Sequence, residues 1–299
     1  MLAFRLSSQR LTPIESDSVS PDELTRQLPR GLYTTFSTNH GGTCVLGLSA
    51  HLDRLYPSAD TSPAPSASRV DLRRALAQLA ESNAPGESRF RVIHSDSDGT
   101  VYVIVQPFAP PAKEIYERGV HVVTADLVRH DARRKDTGFI AASQSQRAQV
   151  GRDVYEVLLT KNGRIYEGMT SNFYAIVPSV IARRRSPAEA ISSPMRGLLR
   201  SARNDGGILV TARTGILLGV TRRAVLRLAR GEGMDIIYRA PRVDEKFAEA
   251  FITSSSRGIV PIAKIDGGTV GEGSVGAWTK RLSLAYAAYV EERSEKLVE

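Results

Sequence analysis

Lys135 lies in the basic run Arg133-Arg134-Lys135, and lysine is the residue type whose amine can attack a carbonyl carbon. A lysine reacts in this way only as the neutral amine, and positive charge from Arg133 and Arg134 would lower its pKa toward that form. The chemistry that this pattern predicts is Schiff-base formation with an aldehyde or ketone. Basic runs also occur on solvated surfaces, so the lysine taken alone leaves that alternative open.

Two further segments have the residue types of an anion site. Gly219-Val220-Thr221 precedes a helical pattern, and a helix N-terminus offers unpaired N–H groups together with the positive end of the helix dipole. Ser254-Ser255-Ser256 follows a strand-like run, and its hydroxyls could bind a phosphate or a carboxylate. A threonine-capped helix and a polar turn are the ordinary explanations, so neither segment establishes an anion site alone.

Glu167 is an acid that the pattern places at a well-defined point of a strand. It follows the Asn162-Gly163 turn, which separates a strand-like run at 154–160 from a return strand that starts at Arg164. Strand residues beside a tight turn have side chains of defined direction. A carboxylate facing a pyridine nitrogen keeps that nitrogen protonated, so that the ring can take up electrons. The alternative is an ordinary acid at the end of a strand.

The elements that would position these residues predict an α+β protein of two lobes. Residues 1–106 are expected to form a small α+β lobe, in which two β-rich runs around His40-Gly41-Gly42 form a hairpin. The prolines of PFAPPA favour an extended connector at 107–117. Residues 118–299 are expected to form the larger lobe, with a helix at 140–150 and an inserted surface loop at 178–207.

Composition limits the possible classes of protein. With 299 residues and 41% hydrophobic content the chain can build two cores, and no apolar run approaches the roughly 18 residues of a membrane span. The N-terminal residues lack a secretory apolar stretch, which predicts a cytoplasmic protein. Cys44 is the single cysteine, so no internal disulfide forms, and the five histidines lack the spacing of metal ligands.

The net charge of +8 raises the alternative of a nucleic-acid-binding protein. Much of the surplus is local, without interleaved aromatic residues, which weakens that alternative and predicts no nucleic-acid partner. The arginines concerned are Arg183, Arg184, Arg185, Arg196, Arg200 and Arg203.

Taken together and in order, these segments resemble the class IV (fold-type IV) aminotransferases, which depend on pyridoxal 5'-phosphate (PLP). The family includes branched-chain and D-amino-acid aminotransferases and aminodeoxychorismate lyases. The resemblance extends from about Gly31 to Tyr286 and leaves out the arginine-rich stretch. It is carried by HLDRL at 51–55 with Ser58-Ala59, YEGMTSNFY at 166–174, ILLGVTRRAVLRLA at 216–229 and EAFITSSSRGIVPIAKIDG at 249–267.

The resemblance implies a fold and a set of cofactor ligands. PLP would lie in the cleft between a small N-terminal lobe and a larger β-rich C-terminal lobe, attached to Lys135 as the catalytic residue. Glu167 would pair with the pyridine nitrogen, and Asn172 would support its turn. The phosphate would be bound by the Arg54 guanidinium, whose fork matches phosphate geometry, by the backbone amides of Val220 and Thr221, and by Ser255.

The resemblance also implies substrate contacts at Tyr33, Arg91 and Ser256, with a surface strand arginine as the alternative for Arg91. The sequence departs from the family pattern at several positions. In branched-chain enzymes the hairpin near Tyr33 typically reads FEGIR, whereas residues 33–37 read YTTFS here, closer to the FTT.R form of the lyases. Ile140 replaces a tyrosine that the family often carries five residues after the lysine, and Leu218 replaces a proline.

The expected function is therefore transfer of an amino group between an amino acid, of branched-chain or D type, and a 2-oxo acid. The alternative within the family is an aminodeoxychorismate lyase, which releases pyruvate and gives 4-aminobenzoate. The resemblance further implies a homodimer.

Overall fold

The computed structural model describes residues 1–56, 63–151, 153–178 and 207–298. Ser58 and Ala59 of the predicted phosphate segment lie outside the described residues, as does nearly all of the predicted inserted loop at 178–207. No helix in the described part of the chain is both long and apolar enough to span a bilayer.

The first part of the chain forms a five-stranded antiparallel sheet in the order β2-β1-β6-β5-β3. Three helices, α1 to α3, and a short strand, β4, accompany it. The bounds are β1 Leu2–Ser7, β2 Arg10–Pro13, α1 Pro21–Gln27, β3 Gly31–Ser37, β4 Cys44–Leu46, α2 Leu48–Leu55, α3 Arg69–Glu81, β5 Glu87–Ser95 and β6 Val101–Phe108.

The second part is built on a nine-stranded mixed sheet in the order β12-β11-β10-β13-β14-β7-β8-β9, with β15 paired to β14. The bounds are α4 Lys113–Arg118, β7 Val120–Asp126, α5 Gly138–Ala142, α6 Gln144–Arg147, β8 Glu156–Lys161, β9 Arg164–Gly168, β10 Asn172–Val177, β11 Ile208–Thr211, α7 Val220–Gly231, β12 Asp235–Tyr238, β13 Glu249–Ser254, β14 Gly258–Ile265, β15 Gly268–Thr269, α8 Ala277–Arg293 and β16 Ser294–Lys296.

Alternation along β3 and β5 divides the small sheet into two faces. Phe36 and Phe90 point to one face, where they pack against Leu52 of α2 and Leu72 and Leu76 of α3. The opposite face carries polar and charged residues at alternate positions, namely Tyr33, Thr35, Arg89 and Arg91. Because the apolar face is buried against the helices, the polar side chains of the sheet point in the opposite direction.

The predicted Asn-Gly hairpin is confirmed. Asn162 and Gly163 have φ angles of +51° and +68°, the left-handed values of a type I' turn, and they join β8 to β9. The register then places Asn172 of β10 directly opposite Glu167 of β9.

The predicted hairpin around His40-Gly41-Gly42 is wrong. All three residues have positive φ angles, and the chain turns so that only a single bridge, Asn39 to Cys44, joins the two runs. Strand β3 pairs instead with β5, and β4 pairs with β16 near the C-terminus.

The predicted helix at 140–150 consists of two short helices, α5 and α6. Ser143 interrupts them, because its hydroxyl donates to the Phe139 carbonyl at 2.6 Å. Strand β6 also extends past the predicted lobe boundary, through Pro107 to Phe108. Its neighbour β1 pairs only as far as Val105, so the missing N–H of Pro107 removes no bond between β1 and β6.

Strand β16 connects the end of the chain to the small lobe. Leu297 is buried in the core of the first lobe, and Glu295 accepts from the backbone N–H of Ser49 at 3.0 Å. Gly47, the residue before α2, provides no side-chain cap, so Glu295 supplies the carboxylate at this helix N-terminus.

We expect Leu72→Ala to destabilise the protein by about 2 to 5 kcal/mol, because it opens a cavity beneath the apolar face of the small sheet. Leu284→Ala is the matched control, because Leu284 also lies in a helix but is 75% exposed. It should change the free energy of unfolding by less than about 0.5 kcal/mol. Urea unfolding followed by circular dichroism measures both. Equal effects of the two substitutions would contradict this description of the core.

Candidate active site

A cavity lies where the polar face of the small sheet meets the larger sheet. All ten residues predicted to bind cofactor or substrate line it, although they are spread over more than two hundred positions of the sequence. They are Tyr33, Arg54, Arg91, Lys135, Glu167, Asn172, Val220, Thr221, Ser255 and Ser256. The structure therefore brings the whole predicted set together at one place.

Lys135 lies in the loop before α5, held against β3. Its carbonyl accepts from Tyr33 N at 2.8 Å, and the Gly31 amide donates to the Thr137 hydroxyl at 3.0 Å. The ammonium nitrogen lies 5.0 Å from the centroid of the Tyr33 ring. These contacts position the amine in the cavity, and Arg133 and Arg134 take no part in them.

Burial lowers the pKa of Lys135 well below its usual value, and the nearby guanidinium groups lower it further. The direction agrees with the prediction, but the cause differs. The contributing groups are Arg54, Arg91, Arg129 and Arg89. Arg133 and Arg134 are exposed and turn outward, the first to the Arg213 carbonyl and the second toward Asp96. The sequence neighbours of Lys135 are therefore not the charged groups that lower its pKa.

Glu167 is buried, with 2% of its surface exposed, and both of its oxygens are engaged. Oε1 accepts from Arg129 Nε at 3.1 Å, and Oε2 accepts from the Leu217 amide at 2.9 Å. Burial raises the pKa of this carboxyl, and Arg129 and the Leu217 amide oppose that effect. The acid is therefore fixed in position by two donors.

Arg129 is a site residue that the sequence did not reveal. It also donates from Nη2 to the Met169 carbonyl at 3.3 Å, and its guanidinium carbon lies 3.8 Å from the centroid of the Phe139 ring. In the sequence it is one arginine in the run VRHDARRK, with no periodicity that sets it apart.

Asn172 connects strand β10 to the loop before α7. Its Nδ2 donates to the Leu217 carbonyl at 2.8 Å. A Cβ atom on Gly219 would lie 2.5 Å from the Asn172 Oδ1, so any other residue at the position that precedes the helix would displace the Asn172 side chain. The two residues bring the helix start close to Glu167.

The start of α7 has the donor set of a phosphate site. Gly219 gives the helix no side-chain cap, so the first backbone amides lack such a partner. Arg54 reaches the same segment, where its Nη2 donates to the Leu218 carbonyl at 3.1 Å. Burial lowers the pKa of Arg54 to about 10; Tyr33 opposes this effect, and Arg223 and Arg129 add to it. The half-buried Ser255 and Ser256 also line the cavity.

Leu218 and Ile140, the two departures from the family pattern, have different consequences. The Leu218 side chain is 46% exposed, while its carbonyl still contacts Arg54. Ile140 is fully buried in an apolar cluster with Tyr33 and Ile93, outside the cavity lining. It therefore contributes no polar group to the site.

Basic residues dominate the cavity lining. Among the described lining residues, Glu167 is the only carboxylate, against Lys135 and six arginines. Two acids outside the cavity lining neutralise part of this charge. Asp22 lies 2.6 Å from Arg91 and 2.5 Å from Arg147. Glu156 lies 3.0 Å from Arg257. The remaining excess suits a ligand with several negative charges.

Arg91 is engaged by helix α1. In addition to the Asp22 pair, its Nη1 donates to the Pro21 carbonyl at 2.9 Å and to the Thr25 hydroxyl at 2.8 Å. Its predicted contact with substrate stays a prediction, since most of its donors already have acceptors.

Residues 31–265 match the family described as Amino-transferase class IV. The chain belongs to this family. The D-alanine aminotransferase of Bacillus licheniformis is 26% identical over 98% of this chain and 99% of its own length. The branched-chain-amino-acid aminotransferase of Pseudomonas aeruginosa is 26% identical over 85% of this chain and 81% of its own.

A solved structure from Thermotoga maritima, assigned as a branched-chain amino acid aminotransferase, superposes with a TM-score of 0.71 at 25% identity, over 97% of this chain and 96% of that one. The predicted α+β fold of the class IV aminotransferases is thereby confirmed. Family membership also confirms the predicted enzyme class, a PLP-dependent transaminase. The donor set at Arg54 and α7, with Lys135 and Glu167 in the same cavity, fits that cofactor.

We expect the Lys135 amine of this class IV aminotransferase to react at lower pH than an ordinary lysine, because a lowered pKa leaves more of the neutral form at any given pH. Competitive acetylation of the apoprotein across a pH series, read by mass spectrometry, measures this. Lys113, whose side chain is 85% exposed, is the reference lysine in the same sample. Identical pH profiles for the two lysines would refute the expectation.

Arg129→Met should destabilise the protein by about 3 to 5 kcal/mol, because it leaves Glu167 buried without its charged partner. Arg242→Met breaks an exposed ion pair with Asp244 and should have little effect. Thermal unfolding of both variants provides the comparison. A loss no greater for Arg129→Met than for Arg242→Met would show that the buried pair does not stabilise the fold.

Proposed function

We propose that this class IV aminotransferase moves an amino group between an amino acid, of branched-chain or D type, and a 2-oxo acid, with Lys135 forming the covalent bond to PLP. The observation that carries the proposal is the Lys135 amine, with its lowered pKa, in the same cavity as Glu167 and the start of α7. The curated relatives support both substrate types, since one is a D-alanine and the other a branched-chain enzyme.

When bound, PLP supplies an aldehyde that condenses with amines and a ring that takes up electrons. The residues proposed to bind its phosphate are Arg54, Val220 and Thr221 through their amides, and Ser255. Glu167 would pair with the ring nitrogen and keep its proton in place, because Arg129 and the Leu217 amide hold the carboxylate in one orientation. Asn172 maintains the approach of the α7 start to this acid.

Lys135 also acts as the general base in this proposal. Its neutral amine would accept the proton from the substrate Cα and return it to the carbon on the other side of the substrate nitrogen, a task for which a lowered pKa is favourable. Tyr33 packs beside the amine and Ser256 lies at the turn after β13, and both are proposed to contact substrate together with Arg91. The proposed assembly is a homodimer, and the proposed location is the cytoplasm.

Aminodeoxychorismate lyase is the second candidate, because of the Thr34-Thr35 pair. Thr34 is buried and its hydroxyl contacts His51 Nδ1 at 2.6 Å, away from the cavity. Thr35 lines the cavity, and its hydroxyl has no hydrogen-bond partner among the described residues. Family membership favours an enzyme over the remaining alternative, a basic nucleic-acid-binding protein.

The covalent bond is tested by a visible spectrum of the purified protein with PLP, followed by borohydride reduction and peptide mapping. We expect a yellow protein with the pyridoxyl label on the Lys135 peptide, and no label in Lys135→Ala. Lys161→Ala, at an exposed turn, is the control and should label like the parent. A label on another lysine would disprove the assignment of Lys135.

The reaction type is tested with the same parent protein. Amino-acid and 2-oxo-acid pairs, including both enantiomers of alanine and leucine, are compared with pyruvate release from aminodeoxychorismate. Transamination with no pyruvate release supports the proposal, whereas the reverse result would establish the lyase.

A further inference from the structure

Arg222 of helix α7 is a buried arginine, with 3% of its surface exposed. Arg91 and Arg129, which are buried to a similar degree, each pair with a carboxylate. Arg222 pairs with none among the described residues, and its hydrogen bonds go to neutral groups. Its Nη1 donates to the Thr211 hydroxyl at 2.8 Å, and its Nη2 donates to the Ala212 carbonyl at 2.6 Å. A buried cation of this kind is costly unless an anion compensates its charge.

The position of Arg222 within α7 is also contrary to the usual placement of charge. It is the third residue of the helix, the exposed Arg223 follows it, and the first turn contains no acid. Acids and anions stabilise a helix N-terminus, whereas a positive side chain there adds to the positive end of the helix dipole. The start of α7 therefore has an excess of positive charge that a bound anion would relieve.

Arg222 is anchored to the larger sheet beside the cavity and not within it. Gly219, Val220 and Thr221 line the cavity, whereas Arg222 does not. Its acceptor Thr211 ends β11, and the Thr211 hydroxyl donates in turn to the Phe173 carbonyl of β10 at 2.8 Å. The guanidinium can therefore act on a ligand in the cavity only through space, and its burial reduces screening of that interaction by solvent.

We propose that Arg222 is a positioning residue whose buried charge favours the doubly negative form of a phosphate ester bound at the start of α7. The inference rests on the proposed function, in which the amides of Val220 and Thr221, together with Arg54, bind the cofactor phosphate. A phosphate ester loses its second proton with a pKa of about 6, so both charge states are accessible near neutral pH. Arg222 stabilises the second negative charge without contacting the ligand.

Titration of the apoprotein with PLP and with pyridoxal, which has the same aldehyde but no phosphate, tests the proposal by absorbance. We expect Arg222→Gln, which keeps a donor but loses the charge, to weaken PLP binding about tenfold or more and pyridoxal binding less than about threefold. Arg227→Gln removes the same charge from an exposed position on the same helix, and as the matched control it should bind both compounds like the parent. Arg222→Lys, which retains the charge, should keep most of the preference for PLP.

Phosphorus-31 NMR of the PLP-loaded enzyme measures the charge of the phosphate directly. In the parent, the signal should keep the position of the doubly charged form at pH values below about 6, where a free ester takes up a proton. In Arg222→Gln the pKa of the bound phosphate should lie about one pH unit higher than in the parent, because loss of a nearby positive charge destabilises the second negative charge. Arg222→Lys and Arg227→Gln should titrate like the parent.

A purely structural role, in which Arg222 only holds α7 against β11, predicts different results. It would weaken PLP and pyridoxal binding by equal factors and leave the phosphorus titration unchanged, and either result would overturn the proposal. Thr211→Val removes the acceptor of Nη1 but not the charge, so it should lower the thermal stability and leave the ratio of the two affinities at the parent value. Loss of the preference for PLP in Thr211→Val would count equally against a role for the charge.

The parent protein keeps the two proposals apart. A parent that binds PLP no more tightly than pyridoxal contradicts the proposed phosphate site itself. A parent that prefers PLP, with an Arg222→Gln variant that keeps the preference, contradicts only the role of Arg222. Should Arg222→Gln not fold, the parent spectrum still decides, since a bound phosphate that titrates like a free ester would overturn the proposal.

Discussion

Burial of one amine among positively charged groups is the constraint on which the site depends. Burial and nearby guanidinium groups lower the pKa of Lys135, so the neutral and nucleophilic form becomes accessible. The same concentration of charge disfavours the empty cavity and favours an anion inside it. The lowered pKa of the lysine and the suitability of the cavity for an anionic ligand thus depend in part on the same charges.

Such a cluster is compatible with a folded protein because acids outside the cavity lining compensate part of it. Asp22 reaches two arginines from helix α1, and Glu156 reaches a third from strand β8. Within the cavity, Glu167 is held by Arg129 and by a backbone amide. The positions of these acids determine which guanidinium groups remain available to a ligand. Within the part of the chain that the structure describes, Arg54 and Arg89 are the lining arginines without a carboxylate partner.

Local patterns in the sequence predicted much of the fold, and they identified residues that lie together in one cavity. The Asn162-Gly163 turn, the helix after Gly219 and the ordered motifs each follow from short-range chemistry, and the family resemblance related them to one cavity. Contacts between distant segments were not predictable in this way. Arg129 meets Glu167 and β4 meets β16 only after folding, so the sequence showed neither.

The charge around Lys135 shows the same limit. Arg133 and Arg134 are its neighbours along the chain, yet they point to the surface, while arginines from α2 and β5 surround the amine. Arg89 could have been found, because its two-residue spacing from Arg91 places both on one face of a strand. That its guanidinium has no carboxylate partner among the described residues is visible only in three dimensions.

The carboxylate of Glu295 at the start of α2 has a consequence for how the protein is made. This helix carries Arg54 at its other end, and its N-terminal cap comes from a residue 246 positions later in the chain. During synthesis, β16 leaves the ribosome after every other described strand. A nascent chain therefore has an uncapped α2 until β16 has been translated, so Arg54 gains its full support only after the larger sheet has been made.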